Sequence, residues 1–526
     1  MLEKAPYDEL VRRFRWRLPR WLNMARQVCD DWAARAPGRL AILDLTGPAP
    51  RPVSYGALQA LSRRVEAMLR GRGVQRGDRV GVLLSQSPLT AAAHVAIWRI
   101  GAVSMPLFKL FRREALASRL ADSAARFVIT DEEGRGRLAG FDVVSLTEAD
   151  LPDEAGAAAC LEGHAPAGTG PEDPAVLIYT SGTTGRPKGA LHGHRLLAGH
   201  LPGVELSHDF LGRPGDVLWT PADWAWIGGL FDVLMPGLAL GVPVVAGPPG
   251  PFSPDLAQRI VREGQVRNVF FPPTALRMLR AEDARLAGLR TVASGGEPLG
   301  AEMLDWGREA MGLTINEFYG QTECNMVVSS CNALFPPRPG CMGRPVPGHE
   351  IAILDEAGRP AAGEGDIAVR RGSASMFLGY WQRPEATAEK FRGEWMLTGD
   401  RGLWEDGYVR FLGREDDVIT SAGYRIGPAE IEDCLLTHPA VANVGVVGKP
   451  DRLRTEIVKA YVVLKPGAEV TEEALQDWVR GRLAAHSYPR EIAFLDALPM
   501  TVTGKVIRKA LKARAAEEAA EEEGRG

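Results

Sequence analysis

The chain lacks the features that mark several common protein classes. Its six cysteines in 526 residues are Cys29, Cys160, Cys324, Cys331, Cys341 and Cys434. They stand apart without CxxC or Cys/His metal spacing, which excludes a disulfide framework and a structural zinc site. A reducing cytoplasm is the expected compartment. No apolar run reaches the roughly 18 to 20 residues that a membrane-spanning helix needs, and the N-terminus lacks the hydrophobic stretch of a secretory signal. No transmembrane segment is expected. A formal net charge of -4 and a pI near 6.2 provide no concentrated basic surface, so nucleic acid is excluded as a partner. The basic, aromatic segment Val11 to Trp21 reads as a solvated leading segment rather than a membrane-surface contact. The common nucleotide loop G-x-x-x-x-G-K-[ST] is missing too, because Lys188 is followed by Gly189 and no Ser/Thr stands in place to hold magnesium.

What is present begins with composition: 45% hydrophobic and 24% charged residues over this length predict a multidomain α/β enzyme working on small molecules. The most informative stretch is YTSGTTGRPKGALHGH, Tyr179 to His194. Ala175 to Tyr179 reads as a buried strand, the next ten residues carry three glycines and a proline, and helix-compatible sequence resumes near His192. Glycines let several backbone N–H groups converge on an anion; Thr180, Ser181, Thr183 and Thr184 add hydroxyl donors and Lys188 adds positive charge. A triphosphate is the expected guest, with its metal ligand supplied from a second site.

Apolar segments alternate with helical patterns from Pro52 to Thr130 and again from Ala175 to Tyr319, which predicts two largely parallel sheets covered by helices. In the second array, strands are expected near Val217–Thr220, Val242–Ala246, Val269–Phe271, Thr291–Ser294 and Ile315–Tyr319, with Ser253 and Pro254 starting one helix. Ligands of such sheets bind beyond the carboxyl ends of strands. Short strands with Gly/Asp turns between Gly348 and Phe411 predict a small β-barrel. After Arg414 a compact α+β unit is expected, with a helix over Pro428–Leu436, strands over Val441–Val447 and Val458–Leu464, and a last helix from Val506. The acidic end AAEEAAEEEGRG reads as a frayed helix terminus.

Downstream of the loop, NEFYGQTE ends a strand with Tyr319, Thr322 and Glu323. With the loop it resembles the adenylate-forming superfamily, which holds acyl-CoA synthetases, peptide-synthetase adenylation domains and firefly luciferase. SGGEPL from Ser294, TGD from Thr398, GREDDVITSAGYRIGPAEIE from Gly413 and TVTGKVIRKAL from Thr501 follow in the family's order, and WLNMARQVCDDWA from Trp21 resembles the medium-chain acyl-CoA synthetase branch. The resemblance implies an N-terminal adenylation domain over residues 1–413, comprising two βα sheet subdomains plus the small β-barrel. It implies a hinge over 414–419 centred on Asp416, a mobile C-terminal α+β domain over 420–514, and an acidic tail over 515–526.

It also implies roles. ATP/AMP would be held by Thr180, Ser181, Gly182, Thr183, Thr184 and Lys188, by Gly295, Gly296, Glu297 and Pro298, and by Glu317, Tyr319, Gly320, Gln321 and Thr322. Tyr319 would stack on adenine and Thr322 would bond the α-phosphate. Asp400, an acceptor when ionised, suits the ribose hydroxyls, and Arg414 would reach ribose or phosphate. Glu323 would hold Mg²⁺, a hard cation that takes carboxylate and phosphate oxygens. Lys505 would be the catalytic cation, acting with Thr180 and Glu323, because a carboxylate attacking a phosphate brings two anions together. Lys505 must later give way to the thiol of CoA, so the small domain must rotate. Gly423, Tyr424, Arg425, Arg480 and Arg490 are the CoA candidates.

Acetate-specific relatives carry tryptophan before Q-T-E, where this chain has Gly320; the missing indole is expected to leave room in an acyl pocket formed with Trp224, Trp226, Gly228 and Gly229. The activity implied is an AMP-forming, ATP-dependent carboxylic acid:CoA ligase acting on a medium-chain or branched fatty acid, with ATP, Mg²⁺ and CoA. A homodimer is compatible with it. The alternatives are delivery to a carrier protein, a luciferase-type oxidation, an aromatic acid such as benzoate as substrate, and a non-catalytic nucleotide sensor.

Overall fold

The computed structural model describes residues 2–180, 187–414, 417, 419–421, 424–451, 455–483, 488–501 and 505–525. Two sheets form the larger part. One has seven strands in the order Gly379–Tyr380, Lys188–Gly193, Pro174–Thr180, Val103–Pro106, Arg79–Leu83, Phe127–Thr130, Val144–Leu146, all running the same way except Lys188–Gly193, which is antiparallel to both its neighbours. The other has nine, running from Arg344–Pro345 through Cys324–Ser329, Ile315–Gln321, Thr291–Gly295, Asn268–Phe270, Leu218–Trp219, Val244–Ala246 and Leu40–Asp44 to Arg51–Ser54.

Between them lies the helix Pro88–Ile100, started by Ser87, whose side chain accepts from Thr90 N–H, and ended by Gly101 at φ 78°. It is buried at every position except Leu89, as a helix apolar all round must be. Its Trp98 donates to the Ala175 carbonyl and packs against Phe231, joining the strand that leads into the glycine loop to the core of the nine-stranded sheet.

The expected elements are found, but their partners differ. Leu40–Asp44 and Arg51–Ser54 join the second sheet beside Val244–Ala246, while Pro174–Thr180 joins the first. Periodicity identifies an element without naming its neighbour. The helix expected near His192 begins at Leu196; Lys188–Gly193 is instead a strand antiparallel to Pro174–Thr180. Gly193 allows that return, because a Cβ there would lie 2.4 Å from the Pro171 carbonyl oxygen. Apart from Gly379–Tyr380, the strands between Ile351 and Arg414 form a five-stranded antiparallel sheet in which Phe391–Arg392 and Tyr408–Arg414 both pair with Trp395–Glu405. Among the described residues no ladder closes it into the expected barrel.

The C-terminal unit has the sheet Tyr424–Ile426, Ile419–Ser421, Thr455–Leu464, Val441–Asp451, with Glu491–Phe494 also on Thr455–Leu464. Helices Pro428–Leu436, Glu472–Arg480 and Arg508–Arg525 accompany it. The acidic end is not a loose terminus: Ala515 is fully buried and Glu518 accepts from Lys459, Tyr461 and Arg514. No helix among the described residues is long and apolar enough to cross a membrane.

Helix Leu196–Ser207 sets the position of the segment that reaches the loop. Gly199 lies so close to the chain at Ser375 that a Cβ would come within 2.1 Å of its backbone nitrogen, and Arg195 donates to the carbonyls of Ser373, Ala374 and Met376. Gly199→Ala is therefore expected to destabilise the fold by about 1–3 kcal/mol, since backbone cannot yield as a side-chain tip can. Denaturant unfolding followed by tryptophan fluorescence measures it, and an unchanged midpoint would contradict this contact.

Candidate active site

The hairpin brings Thr180 opposite Lys188, and the Thr180 hydroxyl donates to the Lys188 carbonyl at 3.4 Å. The connecting residues Ser181, Gly182, Thr183 and Thr184 lie outside the described residues. Lys188 Nζ stands 5.3 Å from the centre of the Tyr380 ring, and the Tyr380 hydroxyl donates to Glu323 Oε1. Burial and the neighbouring Glu323 carboxylate push the Tyr380 phenol above its usual range, so it stays a donor. Glu323 occupies, with Thr322, the two-residue turn between Ile315–Gln321 and Cys324–Ser329, and is 7% exposed. Its Oε2 accepts no hydrogen bond among the described residues. A single buried carboxylate with a free oxygen, joined through Tyr380 to the neighbourhood of Lys188, fits Mg²⁺, which binds through one or two carboxylates plus phosphate.

Across the turn, Asp400 and Arg414 are paired residues on adjacent strands, with Arg414 Nε 3.9 Å from Asp400 Oδ1. The Tyr319 hydroxyl donates to Asp400 Oδ2. Burial raises the Asp400 pKa, opposed by Arg414 and by the Tyr319 hydrogen bond. Gln321 donates to the Thr398 carbonyl at 3.0 Å and accepts from Lys390 Nζ at 3.0 Å. Burial lowers the Lys390 pKa, opposed by Glu323 and Asp400, so its ammonium lies within electrostatic reach of both site carboxylates.

The third wall follows strand Thr291–Gly295. A Cβ on Gly295 would lie 2.6 Å from the Phe318 ring, and Gly296, at φ 97°, has the Trp226 ring 3.1 Å from such a position. Lys505 Cε lies 3.9 Å from the same point, so the lysine reaches from the C-terminal unit to the glycine shelf. Lys505 sits in a turn closed by Thr501 N–H to its carbonyl and by its own N–H to Thr501 Oγ1. Burial lowers its pKa, opposed by the charges of Glu297 and Asp400. Glu297 itself pairs with Arg277 at 2.7 Å.

Glu317 supports this shelf from below, accepting from Leu299 N–H at 3.3 Å. Burial pushes its carboxyl up to about 8, and Asp433 of the C-terminal unit adds to the rise. Glu317 and Pro298 line a cleft of about 950 Å³ whose other side holds Ile426, Asp433 and Leu483. A carboxyl whose pKa is raised on folding is protonated in the native chain while ionised in the unfolded one, so its contribution to stability is lost as pH rises toward 8. Glu317→Gln keeps the acceptor and removes that loss. The variant is expected to gain on the wild type between pH 5 and 8 by at most about 1.4 kcal/mol per pH unit. Thermal unfolding across that range measures it, and a constant difference would contradict a protonated Glu317.

Of the acyl-pocket candidates, Trp224 is wholly buried in the core, whereas Trp226 is half-buried and faces Gly296, Gly228 and Phe270. Gly229 is fixed by the Asp223 carbonyl, 2.2 Å from a Cβ position. The space beside Gly320 is taken in part by Asn325: a Cβ there would meet Asn325 Oδ1 at 2.1 Å, so the Asn325 side chain stands where a side chain at 320 would project.

On the C-terminal unit, Arg480 and Arg490 both lie over Tyr488, at 4.3 and 5.1 Å from the ring centre. Tyr424 and Arg425 belong to a strand beside Ile419–Ser421. Gly423 and Asp416, the expected hinge position, lie outside the described residues. Tyr380, Lys390 and Asn325 were not expected from sequence; GYWQRPEATAEK, Gly379 to Lys390, carries no local sign that two of its residues reach the site.

A lysine extended from a second lobe toward a glycine shelf, beside a buried carboxylate and a hydroxyl-rich hairpin, is an arrangement for joining an anion to a nucleotide phosphate. The chain belongs to the AMP-binding enzyme family: that family's model matches residues 29–381, and the model of the AMP-binding enzyme C-terminal domain matches 430–505. It is 33% identical to the acetyl-coenzyme A synthetase of Bacillus subtilis, covering 96% of this chain and 94% of that one. It is likewise 33% identical to the mitochondrial acyl-coenzyme A synthetase ACSM4 of Rattus norvegicus, covering 96% and 92%. Among solved structures, ATP-bound MatB from Rhodopseudomonas palustris superposes with a TM-score of 0.82 at 29% identity, over 94% of this chain and 98% of that one. The acyl-CoA synthetase of Brucella canis gives 0.74 at 34% identity, over 98% and 100%.

Proposed function

We propose that the protein is an ATP-dependent carboxylic acid:CoA ligase that forms acyl-AMP and pyrophosphate, then acyl-CoA and AMP, and that it acts on medium-chain or branched fatty acids. The reading rests on the placement of Lys505 against Gly296, under the charges of Glu297 and Asp400. An ammonium there can neutralise the acid's carboxylate and the α-phosphate together, the one place in the reaction where two anions must approach. Thr180 and Lys188, paired across the hairpin, would face the phosphates. Glu323 Oε2 would hold Mg²⁺, which supplies charge neutralisation on the phosphates. Asp400, with Arg414 beside it, would accept from the ribose hydroxyls. Residues up to 413 form the adenylating lobe and those from 420 the moving one, turning about Asp416 so that CoA, guided by the Arg480 and Arg490 pair, can replace Lys505.

The aromatic group of Trp226, Phe270 and Phe318, with Trp226 against Gly296, gives the acyl chain an apolar wall. Relatives named acetyl-coenzyme A synthetase and acyl-coenzyme A synthetase are equally identical to the chain, so the chain-length reading rests on this wall and on the absent indole. The test is AMP formation with ATP and CoA across C2 to C12 straight-chain, branched and aromatic acids. A maximum at medium or branched chains supports the reading. A wide preference for acetate overturns the substrate class, AMP formation indifferent to CoA points to another acceptor, and no pyrophosphate with any acid overturns the activity.

A further inference from the structure

Gly320 and Asn325 stand on opposite strands of the Ile315–Gln321 and Cys324–Ser329 hairpin, at a register shift between Tyr319 and Gln321. Because position 320 carries no side chain, that of Asn325 crosses over it, with its Oδ1 at 2.1 Å and its Cα at 2.8 Å from where a Cβ would be. The amide is held firmly. Asn325 Nδ2 donates to both oxygens of Asp232 at 2.9 Å, and His200 Nδ1 lies 2.9 Å from Asp232 Oδ1. All three are buried, at 5, 3 and 0% exposure. Asp232 belongs to the turn Leu230–Leu234, which follows directly on Trp226 and Ile227–Gly229. The wall bearing Trp226 and the strand bearing Gly320 are thus tied together by a hydrogen-bonded amide in the position expected for the indole of acetate-specific relatives.

We propose that Asn325, fixed by Asp232 and His200, closes the acyl pocket and sets the longest acid accepted. This rests on the acid-activating reading above. An amide is much smaller than an indole, so the pocket is deeper than one closed by tryptophan, yet it has a definite end. That end is rigid, because turning the amide away would leave the buried Asp232 carboxylate with only His200 as a hydrogen-bonding side chain, a costly loss. A chain that meets it must stop or displace it.

The experiment is a chain-length profile of pyrophosphate release over C2 to C12 acids for the wild type, Asn325→Ala, Asn325→Ser and Asn325→Gln. Asn325→Ala is expected to move the optimum about two carbons longer and to raise kcat/KM roughly tenfold for that acid relative to the wild-type optimum, with KM for ATP unchanged. Asn325→Ser should move it less in the same direction, and Asn325→Gln toward shorter acids. Asn325→Ser also serves should the alanine variant not fold. A uniform loss at every chain length, or an unshifted optimum, would overturn the assignment while leaving the ligase reading intact. Absence of pyrophosphate from the wild type with every acid would instead remove the reading on which the assignment stands.

Discussion

Lys505→Ala is expected to slow acyl-adenylate formation by about a hundredfold or more while leaving thioester formation from supplied acyl-AMP and CoA much less affected. The asymmetry follows from geometry. Lys505 approaches Gly296 and feels Glu297 and Asp400, and on the proposed assignment this is where the reacting carboxylate and the α-phosphate meet. Its ammonium is useful only there, because the second half-reaction brings a thiol to a carbonyl, with no second anion for the lysine to pair. Burial lowers its pKa, so in the free enzyme it begins to lose its proton below the ordinary lysine value. The wild type should therefore show an alkaline fall in adenylation kcat/KM that the thioester step lacks. Pyrophosphate release and acyl-CoA formation, measured separately, test both points. Equal losses in the two steps for Lys505→Ala would refute the division of labour.

The site residues that were legible in sequence are those whose neighbours in the chain already constrain their chemistry. Thr180 and Lys188 flank a run too rich in glycine and hydroxyls for ordinary packing, Glu323 stands two residues past the end of a strand, and Lys505 follows a T-G pair in the sequence. Tyr380 and Lys390 were not legible, because their contacts with Glu323 and Gln321 span 57 and 69 residues and leave no periodic trace. The fold divides along the same line. Alternating strands and helices were readable from period, yet Leu40–Asp44 pairs with Val244–Ala246 some two hundred residues away, and no local rule selects that neighbour. Gly320 shows where a local reading stops. A missing side chain implies space, but what enters it is set across the hairpin by Asn325, whose own orientation depends on Asp232, on the opposite wall.

Glu323→Gln is expected to lower the adenylation rate by about a hundredfold and to raise the Mg²⁺ concentration needed for half-maximal rate by about tenfold or more. Glutamine preserves the shape and leaves an oxygen to accept from Tyr380, so the turn between Ile315–Gln321 and Cys324–Ser329 should stand. What it removes is the charge, and with it the anionic oxygen that Oε2 offers on the side of Tyr380 and Lys188. Tyr380→Phe separates the two roles of this carboxylate. It deletes the donor to Oε1 and keeps the charge, so the loss should be that of one hydrogen bond to a charged group, about 1.5–3 kcal/mol, expressed in stability and orientation more than in metal demand. A titration of pyrophosphate release against Mg²⁺ at fixed ATP distinguishes them: Glu323→Gln should shift the midpoint, and Tyr380→Phe should mainly lower the plateau. If Glu323→Gln left the Mg²⁺ midpoint in place while unfolding at the wild-type temperature, Glu323 would serve only to anchor Tyr380, and the metal would have to be held elsewhere.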